Sequence, residues 1–298
     1  MVSVIILSYN TKETTLKCLK FLGLSRGVDF ETIVVDNASA DGSAEAIAEA
    51  YPKVRLIRNM QNAGFAAANN QGMKETTGEL LLLLNSDCFV FEDTLAKAVA
   101  KLDQTKWDVL GCQLLNPDGT LQPSWGFFPT LRRIAQMMIF IDSLPIVGEV
   151  IDSMHVRSEL RYQTDKLVDW VTGAWVMVKR EVWEKVGGID EKYFMYGEES
   201  EWMYRMSQAG FKVGYSPAPR AVHLVGASSV DRAPAVVGEM QGWLYWWSKH
   251  KPVWQQKVLP IVIMLGCALR IVLKPSLADH YRKAFTEIQN AAFGRNKK

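Results

Sequence analysis

Apolar runs alternate with helix-period patterns along the first third of the chain. Val2–Ser8 reads as a strand, and Thr11–Leu24 as a helix with Leu16, Leu19 and Leu22 on one side. Thr32–Val35 is a second strand, and the turn Asp36-Asn37-Ala38-Ser39-Ala40-Asp41-Gly42-Ser43 runs into a helix with Ala44 and Ile47 inward. Val54–Ile57 is a third strand and Phe65–Lys74 a further helix. Leu80–Leu84 is a fourth strand, followed by a helix carrying Leu95, Val99 and Leu102. This alternation predicts a doubly wound α/β sheet. The five consecutive leucines mark a strand buried on both faces, and in such sheets ligands bind outside the carboxyl ends of the strands.

After Val109–Cys112 the rhythm changes. Asn116-Pro117-Asp118-Gly119 signals a hairpin, and residues 127–166 read as a helical excursion. Strand character returns at Val168–Val178, broken by Thr172-Gly173-Ala174. A helix from Arg180 stops at Gly187-Gly188, and Ser200–Gln208 is a helix closed by Gly210. Val258–Val272 is apolar except for Pro260 and Arg270. At about fifteen residues it falls short of the roughly 20 needed to span a bilayer. Flanked by cations and tryptophans (Trp243, Trp246, Trp247, Trp254), it fits an interfacial helix. A core or oligomer-interface helix is the other reading.

Charge changes the picture only when divided. The 298 residues carry net +2, but from Trp243 onward ten Lys and Arg face two Asp and Glu, so an acidic body precedes a basic tail. That tail suits a polyanionic surface, either anionic lipid or nucleic acid. The four cysteines, Cys18, Cys88, Cys112 and Cys267, show no paired spacing and read as buried thiols of a reducing compartment. The N-terminus has no basic leader pattern and reads as the first strand.

The candidate chemistry lies at the strand ends. Asn85-Ser86-Asp87 follows the leucine strand, where a carboxylate needs a partner such as a divalent cation holding a diphosphate. The alternative for Asp87 is the N-cap of the next helix, and Asp36 at the end of its strand faces the same choice between a base or ribose contact and a cap. The small-residue segment from Asn62 to Gly72 opens a helix whose N–H groups, with Asn69, suit a phosphate or sugar. No G-x-G-x-x-G or P-loop is present, which argues against dinucleotide and ATPase readings. Glu198, Glu199 and Glu201 cluster before a helix, more acids than capping needs, and clustered carboxylates raise one another's pKa toward that of a general base. His223 precedes Gly226-Ala-Ser-Ser229 and is either structural or a metal ligand.

In this order, several segments resemble the family two glycosyltransferases of the GT-A fold, in particular bacterial rhamnosyltransferase-like members. They are Val4–Asn10, Val34–Ser39 with Asp41-Gly-Ser43, Asn62–Gly72, Leu83–Asp87, Thr172-Gly-Ala174, Gly187–Glu191, Phe194–Glu199 and His223. The resemblance covers about residues 1–230 and implies the GT-A type of α/β fold, a doubly wound mixed sheet. It implies a glycosyltransferase domain over 1–242, with a nucleotide-sugar half (1–112) and an acceptor half (113–242), before a basic amphipathic helical segment over 243–298.

The resemblance implies a nucleotide-binding set of Ser8, Asn10, Asp36, Asn37, Asn62, Gly64, Asn69, Asn85, Ser86 and Asp87. Asp36 would take the base, and Asp87 with His223 would hold Mg2+ or Mn2+. Glu199 would be the catalytic base with Glu198 supporting it, and Gly173, Ala174 and Trp175 would meet the acceptor, Trp175 either stacking on sugar or packing in the core. The motif opens with Asn85, a weaker ligand than Asp, and the base position holds Glu where relatives usually carry Asp. The expected reaction is inverting transfer from a nucleotide sugar, dTDP-L-rhamnose first, to a lipid-linked saccharide in cell-surface polysaccharide synthesis. The protein would work in the cytoplasm on the inner face of the membrane, on anionic lipid and without nucleic acid; a homodimer is compatible with the same tail. The alternatives are another nucleotide sugar, a sugar nucleotidyltransferase, and a non-catalytic membrane scaffold. For the nucleotidyltransferase, Ser8-Tyr9-Asn10-Thr11 lacks the basic Gly-rich loop that a triphosphate needs.

Overall fold

The computed structural model describes residues 1–193, 196–224 and 233–294. Phe194 and Met195 of one matching segment, and the Gly226–Ser229 stretch after His223, lie outside the described residues. In chain order the elements begin β1 (Val2–Ser8), α1 (Lys12–Leu22), β2 (Phe30–Asp36), α2 (Ser43–Ala50), β3 (Arg55–Arg58) and α3 (Gly64–Lys74). β4 (Leu80–Asn85), β5 (Cys88–Val90), α4 (Thr94–Thr105), β6 (Val109–Leu115), β7 (Leu121–Gln122) and β8 (Trp125–Gly126) follow. The excursion holds α5 (Leu131–Met138) and α6 (Pro145–Val150) with short 3-10 turns. Next come β9 (Lys166–Leu167), β10 (Trp170–Val171), β11 (Trp175–Lys179), α7 (Arg180–Val186), α8 (Glu198–Gln208) and β12 (Val213–His223). The chain closes with α9 (Ala233–His250), α10 (Val253–Leu273) and α11 (Ala278–Phe293).

Among the described residues, one sheet runs β3-β2-β1-β4-β11-β6-β12-β5, with β7 on β6 and β9 on β12. The first four strands are parallel. β11 inserts antiparallel between β4 and β6, and β12 runs parallel to β6. The expected mixed α/β sheet is therefore present.

Alternate residues of each central strand enter different cores. Leu82 and Leu84 join α1, α2 and α4 on one face, and Leu81 and Leu83 join α3, α7 and α8 on the other. A strand apolar on both sides has weak register specificity. Here polar contacts pin its start: Gly78 N–H donates to Ser3 Oγ (2.8 Å), Ser3 Oγ to Glu31 (2.6 Å) and Thr77 N–H to Glu31 (2.6 Å). At its other end Asn85 N–H donates to Ala174 O at 3.0 Å.

The C-terminal helices form a third core with α5, and this corrects the reading of the tail. Trp243, Trp246 and Trp247 are buried in that core, so among these tryptophans only Trp254 faces outward. The apolar helix is also longer than its apolar run, because Trp254 to Lys257 extend it. At 21 residues α10 is long and apolar enough to cross a membrane, with a third of its apolar window buried inside the protein. Arg270, read as an interruption, is a buried cap: its guanidinium donates to Met137 O (2.6 Å) and Met138 O (2.5 Å) at the end of α5.

The expected boundary at residue 242 falls inside α9, which is tied to α8. Buried Glu201 meets Arg205 (3.0 Å), Lys249 (2.6 Å) and His250 (3.0 Å), and Lys249 also meets Asp190 (2.7 Å). Burial opposes the Asp190 charge, but Lys249, the Lys192 N–H and the Tyr245 hydroxyl outweigh it and bring the carboxyl down to about 2.

Candidate active site

The parallel strands end level with one another, Ser8 opposite Asp36 and Leu7 opposite Asn85. β11 begins at this edge, and β12 ends there, with Leu224 N–H donating to Asp87 O at 3.0 Å. The loops after β1, β2 and β4, the turn before β11 and the end of β12 therefore share one rim.

Asp36 is 3% exposed. Its Oδ2 accepts from Ser39 N–H at 3.1 Å, while Oδ1 is buried without a partner. It closes a local turn and does not cap α2, which starts only at Ser43. The free oxygen is an acceptor that a ligand N–H or O–H would satisfy. Asn10, at φ 51°, joins the two neighbouring loops: its N–H donates to Ser39 Oγ (2.9 Å) and its Oδ1 accepts from Ala40 N–H (2.8 Å).

Several other expected ligands spend their side chains inside the protein. Hydroxyls of Ser8, Thr15, Thr11 and Ser86 form a buried chain with steps of 3.1, 3.1 and 3.2 Å. Asn37 donates to Asn62 Oδ1 (2.7 Å) and accepts from Asn59 and from Ala63 N–H (3.0 Å each), so these amides hold the entry to α3. Gly64, at φ 83°, takes a conformation that favours glycine, and its N–H donates to Asn62 Oδ1 at 2.9 Å. Asn69 is buried and donates back to Phe65 O at 2.9 Å. Trp175 is 1% exposed in the first core, which rules out stacking on an acceptor sugar.

β5 follows Asp87 directly and α4 starts only at Thr94, so Asp87 is not a helix cap. Its Oδ1 lies 3.2 Å from His223 Nε2, with both side chains mostly buried. His223 Nδ1 lies 2.7 Å from Gln122 Oε1. Gln122 Nε2 donates to Asn116 Oδ1 (2.9 Å) and His223 O (3.1 Å), which leaves Oε1 as the acceptor facing the ring. These partners assign the proton to Nδ1, so a neutral His223 turns its Nε2 lone pair toward the Asp87 carboxylate. Two acceptors at that distance are stable together only with a proton or a cation between them. The carboxylate oxygen suits Mg2+ or Mn2+, and the imidazole nitrogen favours Mn2+, the transition metal of the two, so these residues fit such an ion. Among the described residues no group of three or more His, Cys, Asp or Glu gathers to hold a metal. Phosphate oxygens and water would complete the shell.

Half-buried Asn85 leads across Ala174 to the second group of acids. Gly197, at φ 91°, opens α8, so Glu198 and Glu199 are its first residues. Each has one buried carboxylate oxygen without a partner, which dipole stabilisation alone does not require. Burial, reinforced by the Glu199 charge, pushes Glu198 well above the usual carboxylate range. Burial also raises Glu199, against the opposing pull of its own N–H, the Gly173 N–H and nearby His155. A Cβ on Gly173 would press on Phe65 at 3.1 Å, so glycine lets this turn sit between α3 and Glu199.

No local pattern marks Gln122 or the pairing of His155 with Glu239, and the Asn62–Gly72 segment did not single out Asn70. Asn70 binds Ile189 N–H and O (2.9 and 2.8 Å) and so anchors the Gly187-Gly188 turn. These roles arise from pairings across 84 to 119 residues of chain, which no local pattern encodes.

The model of the family "Glycosyl transferase family 2" matches residues 3–157, just over half of the chain. The chain is 27% identical over 247 residues, 78% of each protein, to N-acetylglucosaminyl-diphospho-decaprenol L-rhamnosyltransferase of Mycobacterium tuberculosis. It is 27% identical over 148 residues, 49% of this chain and 52% of the other, to the rhamnosyltransferase WbbL of Escherichia coli K12. A mannosyltransferase from Pyrobaculum calidifontis, solved with GDP-Man and Mn2+, superposes with a TM-score of 0.57 at 18% identity, covering 99% of this chain and 76% of that one. The shared fold is GT-A.

The raised Glu198 carboxyl has a consequence for stability. The folded protein holds that proton more tightly than the unfolded chain, so stability falls as pH rises from the unfolded value through the folded one. Glu198→Gln is expected to raise the Tm at pH 8 and to leave it unchanged at pH 4 or below, measured by thermal melts at both. An equal or lower Tm at pH 8 would contradict this.

Proposed function

The chain belongs to glycosyl transferase family 2, and we propose that it transfers L-rhamnose from dTDP-rhamnose, with inversion, to a lipid-linked or glycan acceptor. The observation that supports this reading is the Thr172–Ala174 turn, which accepts through Ala174 O from Asn85, two residues before the Asp87–His223 pair, and packs through Gly173 against Glu199. That arrangement sets an electrophile-binding edge against a carboxylate suited to accept a proton. The rhamnosyl donor is supported by the names of the two relatives.

In the proposed reaction, Asp36 Oδ1 accepts a hydrogen bond from the nucleobase or ribose. Asp87 and His223 hold the Mg2+ or Mn2+, with Gln122 fixing the His223 ring. When bound, that ion supplies Lewis-acid stabilisation for the leaving diphosphate. Glu199 takes the proton of the acceptor hydroxyl as its oxygen bonds to the anomeric carbon, and the bond from that carbon to the diphosphate oxygen breaks on the opposite face. Gly173 N–H orients the Glu199 carboxylate.

A membrane-borne acceptor is supported by the outer face of α10. Trp254, Val258, Ile261, Leu265 and Val272 recur at helical spacing and are 37–75% exposed, next to exposed Lys257 and Lys274. The segment beyond α5 adds exposed Ile139, Ile146 and Val150. The proposed site of action is the cytoplasmic face of an anionic membrane.

Three outcomes test the proposal. Asp87→Asn is expected to abolish chelator-sensitive binding of the nucleotide diphosphate by calorimetry, because an amide is a poor ligand for a hard cation; unchanged, chelator-sensitive affinity would refute the metal role. Glu199→Gln should bind donor normally and lose roughly 10²–10⁴-fold in turnover. Full turnover in that variant would remove Glu199 as the base. The double variant Ile261→Lys, Leu265→Lys should lose flotation with anionic liposomes while keeping turnover on a short soluble acceptor, and flotation equal to wild type would exclude the stripe as the dock.

A further inference from the structure

Helix α9 presents Glu239 toward the start of α8. Glu239 Oε1 lies 2.9 Å from His155 Nε2, joining α9 to the segment between α6 and β9. The His155 ring stands edge-on to Trp170, with centroids 5.3 Å apart at 83°. Ser153 Oγ donates to the His155 carbonyl at 2.7 Å and steadies its backbone. Glu239 lies one turn before Gly242, which packs against Gly197 at the start of α8 (a Cβ on Gly197 would lie 4.0 Å from the Gly242 Cα), so the His155–Glu239 pair stands at the end of α8 that carries Glu199.

The groups acting on Glu199 make this contact consequential. Glu198 precedes it on α8, Glu239 comes from α9, and the Tyr196 hydroxyl lies just before the helix. Arg157 acts on His155 from the same segment. The Glu239 carboxylate opposes a charge on Glu199, and His155 is the cation among these groups that favours it. Loss of that cation would leave burial and the Glu239 charge less opposed and shift Glu199 toward its protonated form, which cannot act as a base. Burial draws His155 toward its neutral form, but the hydrogen bond and charge of Glu239 outweigh it and raise His155 above its ordinary value.

We propose that His155 is a positioning residue for the transfer: held by Glu239, it places a positive charge beside the Glu199 carboxylate and keeps that carboxylate ionised and aimed at the acceptor. Because Glu239 belongs to α9, the base is fully set only when the C-terminal helices are docked on the catalytic domain. The inference rests on Glu199 being the base of the proposed transferase.

The test compares pH profiles of kcat for the wild type, His155→Gln and His155→Lys in the full-length protein. His155→Gln keeps a hydrogen-bonding group but loses the charge. Its acidic limb is expected to move up by about one pH unit, with roughly tenfold loss at pH 7 that is recovered at higher pH. His155→Lys is expected to return the limb toward the wild-type position. A uniform loss at every pH, with the limb unmoved, would overturn the proposal and leave His155 a structural strap. If Glu199→Gln keeps full turnover, the base assignment itself has failed; an inactive Glu199→Gln with an unmoved limb in His155→Gln condemns the His155 role alone.

A second measurement needs no active variant. The chain has four histidines, so the His155 ring signal is assignable in proton–carbon spectra by its loss in His155→Gln. Its titration midpoint is expected above about 6.5 in the native protein and lower in Glu239→Gln. A native midpoint at or below that value would overturn the proposal.

Discussion

Leu81, Leu82, Leu83 and Leu84 are all but sealed from solvent and alternate between two cores, and this two-sided burial of β4 is the constraint on which the site depends. Each buried leucine contributes roughly 2 kcal/mol of apolar transfer, so the strand cannot easily leave the sheet. Its pattern does not resist sliding, since both faces are equally apolar. The Ser3–Glu31–Thr77 contacts at one end and the Asn85–Ala174 hydrogen bond at the other supply that resistance. Asp87 is thereby delivered to the rim at the height where β12 brings His223.

Around that rigid strand the rim divides its polar groups into two kinds. Ser8, Thr11, Thr15 and Ser86, like Asn37, Asn59 and Asn62, satisfy one another and hold the loops in place. Asp36, Glu198 and Glu199 each keep a buried oxygen without a partner. Such atoms cost stability, and a folded protein concentrates that cost where a ligand or a reaction uses the free valence. The contrast separates scaffold from chemistry more sharply than residue type does, since an asparagine amide and an aspartate carboxylate look alike in the chain as ligands.

The C-terminal helices serve two surfaces. Their inner faces bury Trp243, Trp246 and Trp247, pair Lys249 and His250 with Glu201, and present Glu239 to His155. Their outer face leaves an apolar stripe on α10. Lys249 and Arg270 are spent inside the protein, so the basic excess of the tail overstates what its surface offers to lipid.

The order of strands and helices through Val109–Cys112 except the three-residue β5, the buried leucine strand, the Asn116–Gly119 hairpin and the breaks at Thr172–Ala174 and Gly187-Gly188 were legible in the chain, because apolar periodicity and turn chemistry are local properties. The same signals put Asp36, Asp87 and the Glu198–Glu199 pair at element ends. They did not reveal the antiparallel insertion of β11, which brings Glu199 toward Asn85, because a short apolar strand carries no mark of its neighbour's direction. Nor could they distinguish Trp175 in the core from Trp175 on a sugar, or show that Gln122 orients His223 and that Glu239 holds His155. Those decisions belong to contacts between segments distant in sequence. The chain by itself determined which residue types stand at the ends of its strands, and tertiary packing alone decided which of them keep an unsatisfied valence and which charges face one another.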